Sequence, residues 1–426
     1  MRVLPLRFDY KFDIIRRVTA RKESRKMVIR RDFLEKVRPF VRLDIVKVLT
    51  GLRRSGKSVL MEQIRDMILR EIDPAGKCLY VNLEEDENKH FLQKGVLHDY
   101  VVKTADANKP SKTYVFLDEI SDVEEWEKCV NSLRTRDFID LYVTGSNSKL
   151  LSGELATYLT GRFVEIKVSP FSFREFLEVQ PGKDSGAAFD AYLKSGGMPF
   201  LAHLGYREEP SREYLADLYS SILLKDIVRR HKIRDVDLLE RIIGYAMSES
   251  GHVFSAASIR RYLKSERRAV AFDTVMNYLR FGEEAFLIKS VKREDLMGKR
   301  ILSVDEKVYA ADHGMRRAVV GGNAMRDIDR TLEAIVYQEF LRRGYDVRIG
   351  RVKEKEVDFV CEKGENRMYV QVAYVMESEE TREREFSALM AVPDQYPKMV
   401  LSLDKVDFSH SGIVHRYLPE FLAEWR

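Results

Sequence analysis

Between residues 45 and 168 the chain alternates short, almost wholly apolar runs with amphipathic stretches, and this alternation restricts the fold more than any other feature. The runs occupy 45–49, 78–81, 113–117 and 140–144, with another after Arg162, and helix-like segments lie between them at 57–71, 96–104 and 126–134. A strand that is apolar on both faces must be covered on both sides, and the intervening helices supply the cover, so the pattern predicts a parallel sheet wrapped by helices. From 172 to about 230 the strand signals stop and helical periodicity takes over, broken at Pro181-Gly182 and at Gly196-Gly197-Met198-Pro199. That stretch reads as a helical lid.

Further along, helix-like segments at 238–247, 255–264 and 272–280 precede two strand-like runs, 286–291 and 307–310, separated by a charged turn containing Gly298. Three short helices followed by a hairpin predict a winged helix-turn-helix, with the third helix as recognition element. Gly321-Gly322-Asn323 then leads into a last region read as helix 329–343, strands 346–349, 356–361 and 368–375, helix 381–390 and strand 399–403. The 426 residues fit several domains rather than one core. The expected division is a basic extension (1–26), an α/β core (27–170), the lid (171–232), the winged helix (233–318) and a C-terminal α/β domain (319–426).

Composition narrows the class. Hydrophobic residues make up 45% and charged residues 33%, and no apolar run approaches the ~20 residues of a membrane helix, so a membrane-spanning chain is excluded. The first residues contain no apolar stretch followed by a cleavage site, so the expected location is the cytoplasm. Cys78, Cys129 and Cys361 are spaced for neither a metal-ligand pair nor a disulfide framework. Lys and Arg total 73 against 68 Asp and Glu, a net +5 that does not by itself require a nucleic-acid partner. Basic residues do cluster: Arg16 to Arg31, then Arg229, Arg230, His231 and Lys232, then Arg260, Arg261, Lys264, Arg267 and Arg268. A solvated helix face is the plain alternative for each cluster.

The chemistry concentrates at Gly51-Leu52-Arg53-Arg54-Ser55-Gly56-Lys57-Ser58, a GxxxxGK[ST] phosphate loop lying directly after an apolar strand and opening a helix whose next residue is Val59. Its glycines let successive backbone N–H groups turn inward on a phosphate and the helix N-terminus adds its positive end. Lys57 is placed to reach the β/γ oxygens and Ser58 to ligate Mg²⁺. Asp118 and Glu119 end the third strand, where Asp118 would hold the metal through water and Glu119 would polarise the attacking water. Ser146 or Asn147, after the next strand, is placed to sense the γ-phosphate. Arg162 is a candidate to face the γ-phosphate of its own or a neighbouring subunit, and at least one of Arg53 and Arg54 is expected in a structural salt bridge.

These residues carry a resemblance over nearly the whole chain. Segment 48–60, Leu117-Asp118-Glu119-Ile120, residues 144–151, Leu159-Thr160-Gly161-Arg162, 169–176, Gly196 to Pro199 and 219–227 resemble the archaeal and bacterial AAA+ superfamily ATPases that carry a C-terminal domain of unknown function. The resemblance implies an AAA+ P-loop NTPase core using ATP and Mg²⁺, a winged helix and a restriction-endonuclease-like domain. In that last domain Glu333, Asp358 and Gln371 are similar to the acidic series of such nucleases, but Gln371 and Ala373 stand where an acid and a lysine are expected. Two carboxylates and a lysine are needed for metal-assisted cleavage, so the expectation is a retained fold used for structure or binding, unless Lys353 or Lys363 reaches the site.

The expected function is therefore an ATPase whose nucleotide state moves the C-terminal domains. Arg260, Arg261 and Lys264 suit phosphate contacts on double-stranded DNA, whereas Asp273, Glu283 and Glu284 suit intersubunit packing in a homo-oligomer. A slow ATP switch for a protein partner is the alternative, and an ATP-regulated nuclease a third.

Overall fold

A computed structural model describes residues 27–148, 159, 161–180, 184–265, 268, 270–298, 300–321 and 327–424. The basic extension expected over 1–26 and Arg267 lie outside them. Five strands, β1 (Val46–Thr50), β2 (Lys77–Asn82), β3 (Thr113–Asp118), β4 (Ile139–Gly145) and β5 (Phe163–Lys167), form an all-parallel sheet in the order β2-β3-β4-β1-β5. Helices α1 (Arg31–Val37), α2 (Lys57–Met67), α3 (Val96–Ala107) and α4 (Trp126–Arg134) cover it. The period of two divides each strand between the faces: Leu49, Phe116 and Tyr142 pack with Leu60 and Ile64 of α2, while Val48, Val115 and Val143 pack with Val101 and Val130. Each fully buried side chain of this kind contributes about 1.5–3 kcal/mol. Because β4 lies between β1 and β3, the residues that end all three strands share one edge, where ligands of open parallel sheets bind.

The helical stretch contains α5 (Phe173–Val179), α6 (Ser185–Ser195) and α7 (Glu208–Ile222), the last prolonged by a π turn, Leu223–Val228, and a final turn, Arg229–His231. Ser172 and Glu175 open α5 with reciprocal capping bonds. The stretch is not one unit. Phe173, Phe176 and Phe189 of α5 and α6 share a core with Ile335, Phe340 and Phe421 of the C-terminal region, whereas Leu215, Leu218 and Ile222 of α7 pack into the middle region. At the break between them, a β-carbon on Gly197 would lie 2.3 Å from the Phe171 carbonyl oxygen, so this close backbone approach requires glycine.

The middle region runs α8 (Val236–Ser248), β6 (Val253–Phe254), α9 (Ala256–Ser265), α10 (Phe272–Glu284), β7 (Ile288–Asp295), β8 (Arg300–Ala310) and α11 (His313–Val320). The C-terminal region follows with α12 (Ile328–Arg342), β9 (Asp346–Val352), β10 (Lys355–Lys363), β11 (Asn366–Val372), α13 (Glu379–Met390), β12 (Lys398–Ser402), β13 (Ile413–Tyr417) and α14 (Leu418–Ala423). The sequence reading had neither β13 nor α14. It also took Lys292–Asp295 and the segment from Arg300 as turn, yet both are strand. Their charges are matched across the sheet: Arg293 pairs with Glu356, and Glu294 with Arg348 at 3.1 Å and Arg367 at 2.6 Å. The extended hairpin joins the C-terminal strands through parallel pairing of β7 with β9, giving one eight-stranded sheet, β13-β12-β11-β10-β9-β7-β8-β6.

Candidate active site at the phosphate loop

Thr50 ends β1 and Gly51 turns the chain with φ of 142°, against a β5 exit so close that a β-carbon would sit 2.2 Å from the Val168 carbonyl oxygen. Only glycine fits there. Lys57 begins α2 and is 4% exposed. Its Nζ donates to the carbonyls of Gly51 (3.1 Å) and Leu52 (3.4 Å) and to Ser146 Oγ (2.9 Å), and lies 3.6 Å from Glu119 Oε1. Ser58 and Val59 are exposed on the same first turn, and Gly56 caps it.

Glu119 leaves β3 with φ of 55°, a left-handed conformation that a non-glycine residue holds only when its surroundings fix it. The fixing groups are visible: its N–H donates to Thr144 Oγ1 (2.8 Å), and its carboxylate accepts from Ser146 Oγ (2.6 Å) and the Ser146 N–H (3.2 Å). The Thr144 hydroxyl in turn donates to Asp118 Oδ1, while the Tyr80 hydroxyl donates to Asp118 Oδ2 at 2.8 Å. Burial and the adjacent Asp118 carboxylate push the Tyr80 hydroxyl far above the usual phenol range, so it remains a donor. Asn147 follows Ser146 and is buried, but the contacts to Lys57 and Glu119 belong to Ser146.

Arg53 makes the structural bridge expected of the loop arginines, with Nε 3.2 Å from Asp226 Oδ2 in the π turn of α7 and a terminal nitrogen 3.0 Å from Glu84. Burial raises Asp226 above the usual carboxyl range, against the pull of Arg53. Arg54 lies over the Tyr214 ring at 5.7 Å.

Arg162 lies at the opposite edge of the sheet, which narrows the two alternatives of the sequence reading. It precedes β5, its carbonyl accepts from the Val46 N–H, and its guanidinium is 3.7 Å from Asp44. The β1–β5 register runs from Val46 opposite Phe163 to Thr50 opposite Lys167, so a whole strand, about 16 Å, separates Arg162 from the loop. It does not face the nucleotide site of its own chain.

Sequence reasoning gave no individual role to Arg30, Tyr80, Thr144 or Asp226. Arg30 is 2% exposed and braces the loop from behind, donating to the Ser55 carbonyl (3.1 Å), the Ser169 carbonyl (2.8 Å) and Glu175 Oε1 (2.6 Å). The sequence shows Arg30 only as one member of a basic cluster, because its partners are as many as 145 residues away.

The residues singled out in the C-terminal region also meet. Glu333 of α12 lies 3.0 Å from Lys307 Nζ and accepts from the Tyr309 hydroxyl at 3.0 Å; Lys307 is 2.7 Å from Glu356. Asp358 accepts from the Val372 N–H (2.8 Å), and its own N–H donates to Gln371 (3.3 Å), whose amide donates to Glu385 (3.0 Å). The cation is therefore Lys307, from β8 of the middle region. Lys363 instead bonds the Arg343 carbonyl at 2.8 Å, and Lys353 is exposed. Burial pushes Glu333 and Asp358 upward, Asp358 further because Glu333 is near. Burial also works against the charge of Glu356, yet Lys307 and Arg293 hold it below its usual value.

A family model described as an AAA domain matches residues 44–177, and a second, described as a domain of unknown function (DUF8612), matches 186–326. An uncharacterized protein of Haemophilus influenzae is 36% identical over 384 residues, covering 89% of this chain and 94% of that one. The uncharacterized protein MJ1544 of Methanocaldococcus jannaschii is 30% identical over 397 residues, covering 89% and 84%. The solved structure of Rhizobiales Trip13 is matched over 48% of this chain and 76% of that one at 14% identity; its TM-score of 0.29 adds nothing to the assignment. With a phosphate loop on a parallel sheet, an AAA-domain match and relatives aligned over 89% of the chain, the chain belongs to the family of these two proteins, built on an AAA+ P-loop NTPase core.

Proposed function

We propose that the chain is an Mg²⁺-dependent ATPase, and the observation that carries this reading is the convergence of Lys57, Ser146 and Glu119 at the end of β1, β3 and β4. Lys57 rests on two carbonyls and a hydroxyl, neutral acceptors that a phosphate oxygen outcompetes. The loop N–H groups and Lys57 would hold the β- and γ-phosphates, and Glu119 would take a proton from the attacking water once Ser146 releases it. Ser58 and Asp118 suit Mg²⁺, which when bound neutralises charge on the β- and γ-oxygens. Asp118 is pre-oriented for this by Thr144 and Tyr80. Arg162 acts in this reading only on a neighbouring subunit, so its contribution requires a homo-oligomer. Lys57→Ala should lose nucleotide binding, whereas Glu119→Gln should bind ATP and hydrolyse it at least 100-fold more slowly. Wild-type turnover by Glu119→Gln would refute the assignment.

The domain division given above belongs to the same proposal, with the 171–232 stretch split between α6 and α7. The order α8-β6-α9-α10-β7-β8, with β6 and β7 both antiparallel to β8, supports a winged helix. Duplex DNA is its proposed ligand, because α9 exposes Arg260, Arg261 and Lys264. The hairpin tip is engaged elsewhere: Leu296 is buried against Val352 and Val357, and its N–H donates to the Arg351 carbonyl at 2.8 Å. The order α12-β9-β10-β11-α13-β12 supports a restriction-endonuclease-like domain; Lys307 is held in ion pairs by Glu333 and Glu356, and Gln371 stands where an acid is expected, so a role in structure or binding rather than cleavage is proposed. Measuring ATP hydrolysis with and without duplex DNA tests the coupling. Lys57-dependent turnover indifferent to DNA would favour a switch for a protein partner.

A further inference from the structure

We infer that the basic end of α7 is a docking surface for the phosphate backbone of duplex DNA, and that its occupancy is tied to the phosphate loop; the second part rests on the ATPase reading above. Lys225, Arg229, Arg230, Lys232 and Arg234 are all exposed, and none lies in an ion pair among the described residues. The single carboxylate in the same ten residues, Asp226, is 5% exposed and turned inward to Arg53. The π turn over Leu223–Val228 accompanies this arrangement, with Asp226 facing the loop while Lys225, Arg229 and Arg230 face solvent. Such turns concentrate at functional sites.

A helix C-terminus gains about 0.3–1 kcal/mol from a nearby cation. Five cations in ten residues exceed that use, and like charges so close together repel one another. In the C-terminal sheet, by contrast, clustered arginines are neutralised, as Arg293, Arg348 and Arg367 are by Glu356, Glu294 and Glu362. Duplex DNA is the polyanion that fits because the patch is fixed to the proposed recognition helix. The His231 ring stacks on Phe281 at 3.6 Å and lies 3.2 Å from Glu284, both on α10, so one duplex contacting α9 and α10 can extend over the patch. The Arg53–Asp226 bridge then links this surface to the loop that closes on nucleotide. Any nucleotide that moves Arg53 should change DNA affinity, and DNA should change nucleotide affinity by the same factor.

The test is fluorescence anisotropy of a short labelled duplex with the full chain, over a salt series, with ADP and without. Three variants are compared with wild type: Lys225→Glu/Arg229→Glu/Arg230→Glu, Arg260→Glu/Arg261→Glu/Lys264→Glu, and Asp226→Asn. The first should bind about tenfold or more weakly and lose roughly 2–3 from the slope of log affinity against log salt. Asp226→Asn should keep binding DNA but lose the difference between ADP-bound and nucleotide-free protein. Thermal unfolding identifies a variant that is merely unstable, and Lys225→Gln/Arg229→Gln/Arg230→Gln then replaces it. An unchanged affinity and slope in the first variant, with the α9 variant alone losing DNA, overturns the inference and leaves the winged-helix reading intact. Loss in the first variant alone does the reverse. No duplex binding by wild type at low salt, or binding of anionic-lipid vesicles in its place, overturns the choice of partner, while Lys57-dependent hydrolysis judges the ATPase reading separately.

Discussion

Among the lysines that meet carboxylates, Lys57 and Lys307 occupy settings whose difference separates a site from a lock. Lys57 sits at a sheet edge on two carbonyls and a hydroxyl, with Glu119 3.6 Å away and exposed Ser58 beside it. Lys307 is enclosed between Glu333 and Glu356, with Asp358 and Tyr309 around them. In the first setting every contact of the ammonium can be exchanged for a ligand oxygen at little cost. In the second, removing the ammonium strands buried carboxylates, and burying unpaired charge is far more expensive than the pair is favourable.

The sharpest break of this comparison is a matched pair of substitutions. Lys307→Met should cost roughly 3–5 kcal/mol of stability while leaving nucleotide binding to the folded protein intact. Lys57→Met should change stability by less than Lys307→Met, about 1–2 kcal/mol from the lost hydrogen bonds, yet remove nucleotide binding. Denaturant unfolding and nucleotide titration on both proteins check this; equal stability losses would dissolve the distinction.

A smaller effect falls on the site. The Thr144 hydroxyl serves Asp118 and the Glu119 N–H at once. Thr144→Val should therefore slow hydrolysis by about tenfold, close to 1.4 kcal/mol, with nucleotide affinity near wild type. Steady-state turnover and a binding isotherm separate the two.

The smallest effect sharpens the lock. Asp358 and Glu333 are raised, so the fold prefers their protonated forms, and that preference stabilises fully only below the unfolded values near pH 4 and is lost as pH rises through the folded values. Asp358→Asn keeps an acceptor for the Val372 N–H and removes the charge. It should raise stability at neutral pH by about 1 kcal/mol, with the gain fading as pH falls toward 4. A gain independent of pH would remove the charge argument.

How much of this was legible in the sequence follows from distance along the chain. The phosphate loop and the Asp118-Glu119 pair are contiguous and follow apolar strands, so residue order alone located them. Arg53–Asp226 spans 173 residues and Arg30–Glu175 spans 145, and no local pattern reports a partner that far away. Arg162 lay in a familiar motif, but which of its two alternatives holds depends on the strand register that places it a strand's length from the loop of its own chain, and spacing does not carry that. The charged run around Gly298 was taken for turn because strands exposed to water are seldom so charged. What makes it strand is Glu294 meeting Arg348 and Arg367 across β9 and β11.

The shared sheet has a consequence for the history and handling of the protein. Since β7 pairs with β9, a break between Gly321 and Asp327 would leave two fragments, each with a bare strand edge. Such edges invite pairing with other chains. The middle and C-terminal regions should therefore be inherited together and fold together. Neither half should stay monomeric alone, and mixing the two should restore a soluble complex.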